Sequence, residues 1–309
     1  MPPSKILRTL TVPIVLVLAA SCAPSGISGT ASSGTFPLTV TTAAGKTTIP
    51  HRPARIVSLS ATATEDLFAV GAGSQVVAVD KYSDYPANAP VTSLSGFQPS
   101  VEAIAGYKPD LVVVSDDTNG TVGQLGKLSI PTLVEPPAGA LDGVYAQLNQ
   151  LGQATGHSAQ AASTVRNLRD QVQSILESVP SSNHPLSVYH ELDQTYYSAT
   201  THTFIGQVYK QLGLRDIADS APGSNPYPQL SSEYIISANP DLIVLADTVC
   251  CSQNLVTVKA RPGWSSIAAV KKGAVVPVED EIASEWGPRI AQFMQAVVNE
   301  LKALHSSGA

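Results

Sequence analysis

Residues 99–117 read PSVEAIAGYKPDLVVVSDD, and residues 230–247 read LSSEYIISANPDLIVLAD. Aligned without a gap, Ser100 meets Ser231, Glu102 meets Glu233, Pro109-Asp110-Leu111 meets Pro240-Asp241-Leu242, and Asp116 meets Asp247. The first copy predicts a helix over 100–107 with Ser100 at its N-cap. It ends at the Lys108-Pro109 junction and leads into a β-branched strand over 111–114. The second copy repeats that plan. A chain that writes one helix, turn and strand twice is built from two similar halves.

The rest of the pattern agrees. Residues 36–49 alternate apolar and polar around Ala-Gly, as a small hairpin does. RIVSLS (55–60), then a helix carrying Leu67, Phe68 and Val70 and closed by Gly71 and Gly73, then QVVAV (75–79), read strand, helix, strand. Such a unit implies a parallel sheet. PTLVE adds a strand after the first copy, and a helix follows it to Gly156. Residues 158–180 then carry Val165, Leu168, Val172, Ile175 and Val179 on one helical stripe. At about 1.5 Å per residue this helix is roughly 33 Å long, the width of a small domain. It reads as a strut between two α/β lobes, with Pro180 and Pro185 as stops. LSVYHEL (186–192) restarts the strand–helix alternation, which ends in a closing helix. The expected organisation is an N-terminal lobe over 36–157, the connecting helix over 158–180 and a C-terminal lobe over 181–306. The fold class is α/β, two Rossmann-like lobes with the ligand cleft between them.

The first 22 residues form a leader, with Lys5 and Arg8 ahead of an apolar run too short to span a bilayer comfortably. Small residues then precede Cys22, the expected lipidation site and mature N-terminus, and residues 23–35 form a Ser/Gly-rich tether. The folded part is thus expected outside the cell membrane, held to it by a lipid anchor. The net charge is −6, and loss of the leader makes it more negative, which argues against a nucleic-acid partner. Cys250 and Cys251 are adjacent. In an oxidising compartment they form either a strained vicinal disulfide or a pair of thiols, and sequence leaves both open.

Ligands of such sheets bind beyond the carboxyl ends of the strands. The segments there hold Tyr82 and Tyr85, Asp116 and Asp117, Tyr196 and Tyr197, and Cys250 and Cys251, with Trp286 close to a strand end. The tyrosines combine an apolar ring with a polar tip and suit a bulky, partly flat ligand. Trp264 reads instead as packing within its own lobe. Glu102 and Glu233 sit near helix N-termini, where a negative charge gains roughly 0.3–1 kcal/mol, and this alone could account for them. The alternative is that each presents a carboxylate to a two-fold symmetric partner. No H-x-x-x-H pair, G-x-S-x-G elbow or phosphate-binding loop is present, so no enzyme, resident cofactor or metal site is expected.

RPARIVSLSATATEDLFAVGAG, YSDYP, PSVEAIAGYKPDLVVV and ARPGWSSIAAVKKGAV together resemble the substrate-binding proteins of iron-siderophore and vitamin B12 ABC importers, over about residues 36–303. The resemblance implies a monomer that carries its cargo between two lobes to an ATP-driven permease dimer, with Glu102 and Glu233 docking on permease arginines. YSDYP resembles the corrinoid branch, in which Tyr82 would lie against the ring. That branch places a tryptophan shortly before the first-lobe glutamate, where this chain has Phe97. Arg261 and Arg289 sit in motifs that read as structural. The expected cargo is an iron chelate, a ferric siderophore, with cobalamin as the alternative and a zinc or manganese ion as a third reading.

Overall fold

The computed structural model describes residues 35–182 and 184–307. The leader, Cys22 and the tether up to residue 34 lie outside the described residues.

Strands β1 (Leu38–Thr42) and β2 (Gly45–Ile49) form the expected hairpin, with Leu38 opposite Ile49 and Thr42 opposite Gly45. Val40 and Ile49 point inward and are buried. The first lobe then runs β3 (Ile56–Ser58), α1 (Ala61–Ala69), β4 (Val76–Val79), α2 (Val101–Gly106), β5 (Leu111–Val114), α3 (Thr121–Lys127), β6 (Thr132–Val134) and α4 (Leu141–Thr155). Helix α5 (Ser158–Glu177) follows. The second lobe runs β7 (Ser187–Glu191), α6 (Phe204–Gln211), β8 (Arg215–Asp216), α7 (Ser232–Ala238), β9 (Leu242–Leu245), α8 (Leu255–Ala260), α9 (Ala268–Lys272) and β10 (Val275–Pro277). Helices α10 (Asp280–Ser284) and α11 (Ile290–Ser307) close the chain.

Both four-stranded sheets are wholly parallel, in the orders β4-β3-β5-β6 and β8-β7-β9-β10. Each lobe therefore places its second strand outside its first, then adds the third and fourth on the other side. The strand order reverses between β3 and β5 in one lobe and between β7 and β9 in the other, which opens a crevice beside the carboxyl end of each first strand.

The duplicated Pro-Asp-Leu has a structural purpose. The Asp110 carboxylate accepts from the backbone N–H groups of Ala54 and Arg55 at 2.9 Å each, and its own N–H donates to the Arg55 carbonyl. The Asp241 carboxylate accepts from the Ser187 N–H at 2.9 Å and the Ser187 hydroxyl at 2.8 Å, and its N–H donates to the Ser187 carbonyl. In each lobe the aspartate pins the start of the neighbouring strand and so fixes the register in which Ile56 pairs with Leu111 and Val188 with Leu242.

Successive β5 side chains face opposite sides of their sheet. Leu111 and Val113 join the large core, whereas Val112 and Val114 pack with Leu94, Ile104 and Leu125 in a smaller one. Helix α5 is not a solitary strut. It packs against α4 of the first lobe and against α11, and its buried stripe is Ala161, Val165, Leu168, Val172 and Ile175. It ends at Glu177, three residues before the expected boundary, because the Ser178 N–H turns back to the Ile175 carbonyl and Val179 precedes a proline. Gly156, at φ +77, makes the sharp turn between α4 and α5.

Candidate functional site

The carboxyl ends of the two sheets meet through the segment that follows β10. Arg289, just before α11, donates from Nε to Glu65 Oε2 of α1 at 2.6 Å and from its backbone N–H to Glu65 Oε1 at 3.1 Å. It also lies 3.3 Å from Glu281 and 3.8 Å from the centre of the Tyr85 ring. The Thr62 hydroxyl of α1 donates to Glu285. Tyr85 thus stands on the seam between lobes as well as being partly exposed. These contacts are not legible in sequence, because Glu65 lies in an apparently solvated helix turn and its partner Arg289 is more than 200 residues away.

The seam is acidic. Burial, then the neighbouring charges of Glu65, Glu135 and Glu285, push the Asp66 carboxyl well above its usual range. Glu135, which follows β6, is pushed up to about 8 by burial alone. Burial also raises Glu285, with the Thr62 hydrogen bond opposing, and Glu281, beside Asp84, is raised as well. A carboxyl raised in this way holds its proton to a higher pH than a free one, which lessens the repulsion among acids crowded at the seam.

The wall of the second lobe is built around another ion pair. Glu191, at the end of β7 and fully buried, accepts from both guanidinium nitrogens of Arg261 at 2.6 and 2.5 Å. Arg261 lies 4.5 Å from the Trp264 ring centre and 5.4 Å from that of Tyr196. Tyr196 itself adopts φ +70, a region few side chains enter. Beside this pair, burial and then the Glu191 charge push Asp247 up to about 7. Trp264 is fully buried and donates to the Ser232 hydroxyl at 2.8 Å, so it packs its own lobe as expected. His190 points to the other side of the strand, where its Nδ1 meets the Tyr209 hydroxyl at 2.7 Å and burial lowers it to about 3.

The exposed apolar side chains gather on the same loops. In the first lobe Tyr82 and Phe97 are 51% and 75% exposed and meet edge to face, with ring centres 5.6 Å apart. Lys81 lies over the Tyr82 ring. In the second lobe Tyr197 is exposed after β7, and Val249 and the disulfide-bonded pair Cys250–Cys251 follow β9. Asp116 and Asp117 are exposed after β5, Asp116 accepting from Thr118 and Asp117 capping the Val122 N–H at 2.8 Å. Trp286 is half-buried against the core. Among the described residues no three His, Cys, Asp or Glu side chains converge to hold a metal ion.

Glu102 and Glu233 stand apart from these walls, each exposed in the first turn of its helix. Ser100 caps the Ala103 N–H at 3.2 Å and Ser231 caps the Tyr234 N–H at 3.1 Å, so the helix starts are held by the serines and not by the glutamates.

The periplasmic binding protein family matches residues 56–281. A cobalamin-binding protein of Halobacterium salinarum is 33% identical over 276 residues, covering 85% of this chain and 74% of that protein. The uncharacterized ABC transporter substrate-binding lipoprotein YvrC of Bacillus subtilis is 28% identical over 276 residues, covering 86% of each. Among solved structures, the periplasmic catecholate-siderophore binding protein VctP of Vibrio cholerae superposes with a TM-score of 0.68 at 21% identity, over 86% of this chain and 99% of that one, a likeness of fold. The family match spans most of the two lobes, and the chain belongs to the periplasmic binding protein family, whose members are substrate-binding proteins of transporters and not enzymes.

Proposed function

We propose that this chain is the extracytoplasmic substrate-binding lipoprotein of an ABC importer and that its cargo is a corrinoid. The observation that carries the choice of cargo is the state of the two arginines that follow β9 and β10. Arg261 is clasped by Glu191, and Arg289 by Glu65 and Glu281. An anionic ferric chelate is bound best by free guanidinium groups, which match its oxygens two at a time. Neither arginine has that freedom here. The loops offer instead the exposed faces of Tyr82, Phe97 and Tyr197, with acidic Asp116 and Asp117 nearby. Such a surface fits a large ligand without net negative charge. The cobalamin-binding relative at 33% identity supports the same reading.

In this reading Tyr82, Tyr85, Phe97, Asp116, Asp117, Tyr196, Tyr197, Cys250, Cys251 and Trp286 surround the ligand. Tyr82 takes the ring face, and Glu102 and Glu233 dock on a permease dimer. Cys22 carries the lipid, and the protein works as a monomer with lobes bounded near residues 157 and 181. Calorimetric titration with cyanocobalamin, a ferric catecholate, a ferric hydroxamate, haem and Zn²⁺ tests the cargo. Cyanocobalamin is expected to bind, and Tyr82→Ala to weaken it about tenfold. Binding of a ferric siderophore without cyanocobalamin would return the assignment to an iron chelate.

A further inference from the structure

The Cys250–Cys251 disulfide sits on the loop that leaves β9, and that loop is tied down on two sides. The Asp280 carboxylate, at the start of α10, accepts from the backbone N–H groups of Val249 and Cys250 at 3.0 Å each. On the other side the Gln253 amide donates to the Cys251 carbonyl at 3.0 Å, and the Gln253 oxygen accepts from Arg261 at 2.7 Å. Arg261 is the residue clasped by Glu191 over Tyr196. The disulfide is therefore one side chain away from the wall of the second lobe.

With its backbone turned to Asp280, the loop shows its apolar side to water. Val249 is 71% exposed with Cys250 exposed next to it in the chain, and Leu255 and Val256, which open the following helix α8, are 37% and 76% exposed. Single apolar side chains on a surface are ordinary, but several within one short stretch of chain after the carboxyl end of a strand suit a contact surface. A free loop of this composition would gain by folding these groups away from water. The bond between adjacent cysteines removes that freedom from the turn.

We propose that the Cys250–Cys251 disulfide holds the second-lobe lip as a preformed apolar contact for the ligand, the counterpart of Tyr82 and Phe97 in the first lobe, and that ligand affinity follows the redox state of this bond. A dithiol reductant supplies the chemistry. Two successive thiolate attacks break the sulfur–sulfur bond, Cys250 and Cys251 each leave as a thiol carrying one proton, and the reductant closes to its own disulfide. The reduced lip must then be ordered by the ligand itself, at a cost to affinity.

The proposal rests on the corrinoid reading only for its probe. Cyanocobalamin is titrated into the full-length protein as purified, after dithiothreitol treatment and removal of the reagent, and after reoxidation. Mass spectrometry with alkylation counts thiols in each form. The reduced protein and the Cys250→Ser, Cys251→Ser double variant are expected to bind about tenfold more weakly, and reoxidation to restore the wild type alone. Val249→Ser, which keeps the bond, is expected to weaken binding by a similar factor. Equal affinity in all these forms, or two alkylated thiols in the protein as purified, would overturn the proposal. Should no form bind cyanocobalamin while a ferric siderophore binds, the corrinoid reading fails on its own. The same comparison with that siderophore then decides the role of the lip.

Discussion

Asp110 and Asp241 perform the same task in the two lobes, whereas Asp116 and Asp247, which the same alignment pairs, have diverged. The first two each pin the start of a neighbouring strand through backbone hydrogen bonds. Of the second two, Asp116 is exposed at the end of its strand, while Asp247 is fully buried beside Glu191 and Arg261. Up to the end of the strand the copies share what a parallel sheet requires. Beyond it, in the loops proposed to line the cleft, they differ, and among the described residues the Glu191–Arg261 ion pair and the disulfide belong to the second lobe alone. Glu102 and Glu233 follow neither rule. They are alike in both copies, exposed in both, and neither caps its helix start.

If that likeness serves a symmetric partner, Glu102→Ala with Glu233→Ala should reduce uptake to the level of cells lacking the protein. Ligand affinity should change less than about twofold, since sites without shared partners do not couple. Radiolabelled uptake beside calorimetry reads both, and a loss of affinity would place the glutamates in the cleft. Next in size, Arg261→Ala leaves Glu191 buried without its partner and should cost about 3–5 kcal/mol of stability, measured by urea unfolding. The pinning aspartates come third. Asp241→Ala should cost about 2–3 kcal/mol, the scale of hydrogen bonds to a charged group, and Asp110→Ala less because its bonds are exposed. Equal costs would mean that exposure does not set the difference.

A further effect concerns pH. Asp247 and Glu135 have native carboxyls raised to about 7 and about 8, against an unfolded value of about 4. Because the native state holds the proton more tightly, the stabilisation is complete below about pH 4 and is lost as pH rises through about 7 to 8. Thermal unfolding followed from acid to mildly alkaline pH should show this decline. Asp247→Asn should flatten part of it and Glu135→Gln another part.

Much of this architecture could be read from the residues. The repeat gave two lobes, the hairpin and both capped helices sit where period and capping placed them, and Trp264 is the packing residue its context suggested. These are local features, encoded within a few residues of where they act. The acidic seam was hidden for the opposite reason. Glu65 and Asp66 look like an exposed helix turn until Arg289 and Glu285 arrive from the far end of the chain. Arg261 reads as structural from its motif, but its carboxylate partner Glu191 comes close only through the parallel pairing of β7 with β9.

Helix α5 joins the lobes and also buries its stripe in the same hydrophobic core that holds β5 on one side and β9 on the other. A duplicated molecule whose halves had separate interiors would melt in two steps, each copy at its own temperature. Here neither half owns a complete interior, so heating should produce one endotherm, with calorimetric and van't Hoff enthalpies that agree.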